Sequence, residues 1–235
     1  MSKEEFFNLL KSELNLELDD NQKDNLNRFA ELLLEYNKHT NITAIKDING
    51  VYLKHFYDSL TLIKAINLFD NISVLDVGSG GGFPGIVLAI CFPNLKVTLL
   101  DSNHKKSDFQ EYIVQNLNLN NVIVINDRAE NYFKLGNKYD LVVARAVANL
   151  SVLCELCIPF VNINGYFIAM KGDASIEIKD ASYAIEFLGG KLYNVCKFYL
   201  KDNNDLRNLV VIRKDIDSPS GYPRNYDKIV KKPIK

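Results

Sequence analysis

The feature that most constrains this chain is Leu75-Asp-Val-Gly-Ser-Gly-Gly-Gly-Phe-Pro-Gly85, a glycine-rich turn between two short apolar runs. Glycines at 78, 80 and 82 give a G-x-G-x-G spacing. Glycine reaches backbone conformations closed to other residues and lets a ligand approach the main chain. Pro84 suits the first turn of a helix, where the absent N–H has no partner to lose. A glycine turn that leaves a strand and enters a helix is the setting in which such loops hold nucleotide-like ligands.

The segments around this turn alternate between two periods. β-rich runs lie at 74–78 (VLDVG), 96–101 (KVTLLD), 121–126 (NVIVIN), 139–145 (YDLVVAR) and 165–170 (GYFIAM). Helical segments fall between them near 84–92, 105–117 and 150–159, and a further helix is expected over 173–188. Strands joined through helices need crossover connections and form a parallel sheet covered on both faces. GKLYNVCKFYL and RNLVVIRK then follow with little but the polar KDNND between them, so they pair as a hairpin. A Rossmann-like α/β sheet, mostly parallel with its last strand antiparallel, resembles the class I S-adenosylmethionine methyltransferases more than the usual dinucleotide-binding pattern.

Upstream, Leu26, Phe29, Ala30, Leu33 and Leu34 keep an i, i+3, i+4 rhythm, and a second helix is expected from about Val51 to Ile66. The chain therefore divides into an N-terminal helical extension packed on the core (1–70), an α/β domain (71–216) and a tail (217–235). The tail is basic and proline-containing and reads as extended and mobile.

A net charge of −1 with 47% hydrophobic residues suits a globular protein and carries no nucleic-acid signature as a whole. Any RNA contact must come from local basic patches. The acidic, amphipathic N-terminus argues against a signal peptide, and the longest wholly apolar run, Ile86 to Phe92, is too short for a membrane span. These features and four cysteines predict a cytoplasmic protein with free thiols. Cys154 and Cys157 share one helix face without further metal ligands nearby, so they read as packing; Cys91 and Cys196 read as core too.

The glycine loop departs from a dinucleotide site in two ways. Phe83 occupies the sixth position of the fingerprint, and Pro84 removes an N–H donor that a pyrophosphate would want. Asp76 precedes the loop, where an acid repels pyrophosphate but suits the ammonium of a methionine moiety. Asp101, about twenty residues on at the end of the second strand, stands where a ribose-hydroxyl acceptor belongs. Asp76, Gly78, Gly80, Gly82 and Asp101 therefore point to S-adenosylmethionine.

Ligands of an open α/β sheet sit at the carboxyl ends of its strands. There the sequence sets Arg128 after strand three, Arg145 after strand four and Lys171 after strand five, a basic rim that Arg207, Arg213 and the tail could extend. Strand four lacks the Asn/Asp-Pro-Pro-aromatic run of exocyclic-amine methyltransferases, and no cysteine ends strand four or five to attack a pyrimidine. What remains is an acceptor that is already nucleophilic, such as guanine N7, for which orientation and electrostatics suffice. His104 is expected exposed in a loop. His55 and Asp58 lie one turn apart, either as a surface hydrogen-bonded pair or with that face against the cofactor mouth.

Taken together, Asn41-Ile-Thr-Ala-Ile45, His55-x-x-Asp-Ser59, Asp76 to Ile86, Leu100-Asp-Ser102 with Lys105 and Lys106, Arg128-Ala-Glu130, Arg145-Ala146, Lys171-Gly172, Leu209 to Ile212 and Tyr222-Pro-Arg224 make the chain resemble the bacterial 16S ribosomal RNA 7-methylguanosine methyltransferase family, also called the glucose-inhibited division protein B family. The resemblance covers nearly the whole chain. It implies a cytoplasmic, monomeric, metal-free enzyme that methylates guanine N7 in 16S rRNA of the small ribosomal subunit. By position it implies that Gly78, Phe83, Ala129, Glu130 and Arg145 contact S-adenosylmethionine and that Arg128, Lys171 and Arg207 handle RNA. His55 and Asp58 would support the site, and no side chain is required as acid or base. The rival readings are an NAD-dependent oxidoreductase, a non-catalytic rRNA-binding assembly factor and a small-molecule methyltransferase. Phe83-Pro84 and the hairpin oppose the first, the intact loop and Asp101 the second, the basic rim the third.

Overall fold

A computed structural model of the chain describes residues 1–200 and 205–234. The strands are β1 (Ser73–Val77), β2 (Lys96–Asp101), β3 (Val122–Asn126), β4 (Tyr139–Arg145), β5 (Val161–Lys171), β6 (Gly190–Tyr199) and β7 (Leu206–Lys214). They form one sheet in the order β3-β2-β1-β4-β5-β7-β6. Neighbours from β3 to β5 are parallel, and β7 runs antiparallel to both β5 and β6. The fold is thus the Rossmann-like methyltransferase sheet expected from the alternation of periods, with N-terminal helices added. Most of the polar turn expected between β6 and β7, residues 201–204, lies outside the described residues.

Period two within the strands sends side chains to both faces of the sheet. Leu141 and Val143 of β4 join one apolar cluster with Leu99 and Ile168, while Val142 and Ala144 join the other with Leu75, Phe167 and Val210. The N-terminal helices cover the first face. Helix α1 (Lys3–Leu14) and helix α2 (Asp20–Asn37) each open on a capping box, Ser2 with Glu5 and Asp19 with Gln22, which satisfies otherwise orphaned N–H groups. Their apolar stripes bury Phe6, Leu10, Leu26, Phe29 and Leu33 against Phe56, Ile86 and Leu88, each fully buried side chain contributing ~1.5–3 kcal/mol. None of the helices among the described residues is long and apolar enough to cross a membrane.

Several local expectations need correction. The helix expected from Val51 to Ile66 is a helical run whose first part, Val51–Tyr57, widens to a π-turn, followed by an α turn at Asp58–Leu60 and a 3₁₀ turn at Thr61–Lys64. Such widening re-aims side chains and recurs at functional sites; here the widened turn carries His55. The helix expected over 173–188 is two short ones, Ser175–Asp180 and Ser182–Phe187, separated at the buried Ala181. His104 is exposed, as expected, but it begins the helix His104–Asn116 and pairs with Asp108 one turn on, at 3.2 Å. Cys91, Cys154 and Cys157 are buried, whereas Cys196 is half-buried because β6 is an edge strand.

The tail is the largest departure. Instead of being extended throughout it folds back on the sheet's second face, forms the short helix Tyr226–Lys231 and buries Ile229 completely.

The antiparallel register of β7 decides which of its arginines reaches the carboxyl rim. Lys171 stands opposite Asn208, so Arg207 is at the rim; Tyr166 stands opposite Arg213, which places Arg213 toward the other end of the sheet, paired with Asp215 at 2.6 Å.

Candidate active site

The turn after β1 is held from below. Gly78 N–H donates to the Leu100 carbonyl at 2.7 Å, tying the loop to the end of β2. Gly78 has φ +71, and a Cβ there would lie 2.6 Å from Val147 Cγ2, so the position accepts neither the backbone nor the bulk of another residue. Asp101 Oδ2 accepts the Gly80 N–H at 2.8 Å and its Oδ1 accepts the Asn103 N–H at 2.9 Å. Gln110 donates to Ser79 Oγ and to the Gly80 carbonyl at 2.8 and 2.7 Å.

This loop borders a cleft of about 320 Å³ lined by Gly78, Asp101, Lys106, Arg128, Ala129, Glu130, Ala146 and Leu156, among others. The size is in the range of small-ligand sites. Its donor set fits S-adenosylmethionine: an acid at the β2 end for a ribose diol, a second acid at Glu130, and apolar walls from Val77, Leu100, Ala129 and Leu156 for a heterocycle.

Two residues expected at the cofactor have their side chains elsewhere. Asp76 is wholly buried beneath the loop; its Oδ2 accepts the Gly85 N–H at 2.8 Å, and its Oδ1 meets no partner. Burial pushes its carboxyl up to about 7, against the pull of the Gly85 N–H and of Arg145. Phe83 turns away from the cleft and stacks on Phe29, at 5.3 Å between ring centroids, and on His55, at 4.2 Å. The stack joins the glycine loop to the N-terminal helices.

A second cleft of about 330 Å³ opens beside the first, lined by Lys54, His55, Asp58, Arg145, Ala146, Met170, Lys171, Gly172 and Arg207. Asp58, 5% exposed, is its centre. It accepts from Arg145 Nη1 at 3.1 Å and from Arg207 Nε at 3.0 Å. Arg145 also donates to the Lys54 carbonyl at 3.1 Å and lies over the Phe83 ring, 5.4 Å from its centroid. Burial, foremost, lowers the Arg145 pKa, opposed by Asp58 and Asp76.

His55 and Asp58 are therefore not a surface pair; both face Arg145, His55 from the widened turn and Asp58 from the α turn that follows it. His55 Nδ1 lies 3.3 Å from Arg145 Nη2, and its Nε2 lies 2.7 Å from Thr43 Oγ1. A guanidinium only donates, so Nδ1 accepts and Nε2 carries the proton to Thr43. Burial, reinforced by the Arg145 charge, lowers the His55 pKa to about 3.

The expected basic rim is divided by the fold. Arg128 belongs to the first cleft, 3.9 Å from Glu130, while Arg145, Lys171 and Arg207 surround the second. Arg145 does not border the first cleft, where the resemblance placed it. Nor are the rim cations bare: Lys171 pairs with Glu177 at 2.8 Å and donates to the Ala148 carbonyl at 2.9 Å. Lys54, which no sequence signal singled out, adds a further cation to the second cleft. The two clefts share Ala146, a non-glycine residue at φ +55, a conformation that surrounding structure must hold and that clusters at functional sites.

Comparison with known proteins places these clefts in context. The family model described as rRNA small subunit methyltransferase G matches residues 22–210. A protein named ribosomal RNA small subunit methyltransferase G from Desulforamulus reducens is 45% identical over 226 residues, covering 94% of each chain. One of the same name from Bacillus cytotoxicus is 44% identical over 228 residues, covering 95% of each. Among solved structures, a methyltransferase from Pyrococcus furiosus superposes with TM-score 0.56 at 18% identity, over 81% of this chain and 99% of its own, a likeness of fold.

Proposed function

The chain belongs to the rRNA small subunit methyltransferase G family and uses S-adenosylmethionine, and from that premise we propose that it methylates N7 of a guanine in 16S rRNA by direct in-line transfer. The observation that carries the reading is the pair of clefts meeting at Ala146, at the carboxyl ends of the strands: one is fitted to the cofactor, the other lined with cations. Bound in the first cleft, S-adenosylmethionine supplies an activated methyl group. Gly78, Gly80, Asp101, Ala129 and Glu130 hold it there, with Gly82 and Asp76 supporting the loop, Phe83 bracing it against the helices and Arg145 acting from behind Ala146. Lys171 and Arg207 receive the RNA at the second cleft, and Arg128 does so at the edge of the first.

The acceptor needs no proton removed, because N7 presents a free lone pair. The chain's task is to hold that nucleophile in line, at roughly 3–3.5 Å, which by itself removes much of the barrier. Cys91, Cys154 and Cys157 are buried in the core and Cys196 lies on the edge strand β6, and none of them borders either cleft. No covalent adduct with the base is required. His55, with its pKa lowered to about 3, is uncharged near neutrality, and its Nδ1 is occupied by Arg145. It positions the guanidinium.

The test is to map methylated positions in rRNA from cells with and without the gene. Loss of one N7-methylguanosine in 16S rRNA is expected; loss of a methyl at another atom or in another RNA would reject the assignment. A second prediction concerns mechanism. Single-turnover methylation at saturating cofactor from about pH 6 to 8.5 is expected to follow the same profile in wild type and in His55→Ala, any change as the buried Asp76 carboxyl titrates at about 7 being common to both. An ascending limb centred near ~6.5, the ordinary histidine value, that vanishes in His55→Ala would mark a general base and overturn the mechanism.

A further inference from the structure

The segment after β7 is fixed to the body by a buried carboxylate that the mechanism above does not use. Glu155 is wholly buried in the helix Leu150–Cys157, whose other residues are apolar apart from Ser151. It accepts the Arg224 backbone N–H at 2.8 Å, Arg224 Nε at 2.8 Å and Arg224 Nη2 at 2.6 Å. Arg224 Nη2 also holds the Lys232 carbonyl at 3.1 Å, closing the strap on itself, and Ile229 is buried beneath it. Between these anchors Tyr226 is delivered to the cofactor cleft, where it lines the wall with Ala129 and Glu130. Its backbone N–H donates to Glu130 Oε1 at 3.0 Å, and the Arg128 guanidinium lies 5.8 Å from the centre of its ring.

The strand order says what that wall meets. The glycine loop is at the end of β1, the ribose acceptor Asp101 at the end of β2, and β3 is the next strand outward. A nucleoside running from the loop across Asp101 brings its base to the end of β3, where Ala129 and Tyr226 stand. We propose that the carboxy-terminal strap is part of the cofactor site, with Tyr226 forming the aromatic wall for the purine of S-adenosylmethionine and its backbone N–H orienting Glu130. The inference rests on the cofactor reading of the first cleft.

Calorimetry of the full-length chain with S-adenosylmethionine tests it, with folding checked by a thermal melt without ligand. Tyr226→Ala leaves the Glu155–Arg224 anchor in place and is expected to weaken binding about tenfold or more, the scale of one base stacked on an aromatic ring. Tyr226→Phe keeps the ring and is expected to bind like wild type. In turnover, Tyr226→Ala is expected to raise the KM for the cofactor by a larger factor than it lowers kcat. Wild-type affinity in Tyr226→Ala, or equal losses in the alanine and phenylalanine variants, would overturn the proposal. Failure of the wild type itself to bind would overturn the cofactor reading instead. Because Arg224→Ala leaves Glu155 buried without its partner and could unfold the chain, the Tyr226 pair decides.

Discussion

Asp58→Ala is expected to cost about 3–5 kcal/mol of stability, the usual consequence of removing one partner from a buried ion pair. The reason is what it leaves behind. Arg145 and Arg207, 13% and 23% exposed, both hold this carboxylate as their nearest ion-pair partner, and Arg207 has Asp205 besides at 3.9 Å. Without it two guanidinium groups share a pocket and repel each other, with only the more distant Asp205 left to pair with Arg207. Thermal unfolding should fall by roughly 6–20 °C for a chain of this size. Asp58→Asn, which retains an acceptor oxygen, should lose less. The effect should reach the cofactor cleft too, because Arg145 packs on Phe83 and Phe83 belongs to the glycine loop. A loss below ~1 kcal/mol, the level of an exposed pair, would show that water screens this triad and that Asp58 is not its keystone.

Asp101→Ala should be the most damaging change to cofactor affinity that leaves the core intact. Its carboxylate lines the cleft, and two charge-assisted bonds to ribose hydroxyls at ~1.5–3 kcal/mol each amount to roughly a 10²–10⁴-fold loss. Part of that loss is indirect, since Asp101 also accepts the N–H groups of Gly80 and Asn103 and so shapes the loop. Comparison with Asp101→Asn separates the parts: the amide keeps one acceptor oxygen but not the charge, and should fall between wild type and alanine. A folded Asp101→Ala chain that binds S-adenosylmethionine as wild type does would reject the assignment.

What the sequence by itself determined was the architecture and the class of ligand. Strand and helix periods are local signals, and so is the glycine turn, whose conformational demand is met by residues in immediate succession. The two strands at 190–214, with almost no chain between them, had to pair as neighbours, and that pairing distinguishes this sheet from a dinucleotide fold. Asp101 was legible for a similar reason: a parallel strand beside β1 ends at the same rim.

Tertiary structure alone decided how the charges are partnered. Arg128, Arg145 and Lys171 end consecutive strands in the sequence, but the sheet order β3-β2-β1-β4-β5 sets β1 and β2 between the first and the other two. Arg207 reaches the rim, and Arg213 does not, because β7 is antiparallel. Asp58 neutralises two of these cations across 87 and 149 residues of chain, separations at which no period or motif carries information. The strap shows the same limit. Its composition is that of a loose tail, and it holds because a single carboxylate, Glu155, lies in an apolar helix where burying a charge is costly unless a partner is brought to it. A lone acid in the run VLCELCIPF was the available signal. It told that a partner was needed, and only the folded chain showed that Arg224 supplies it.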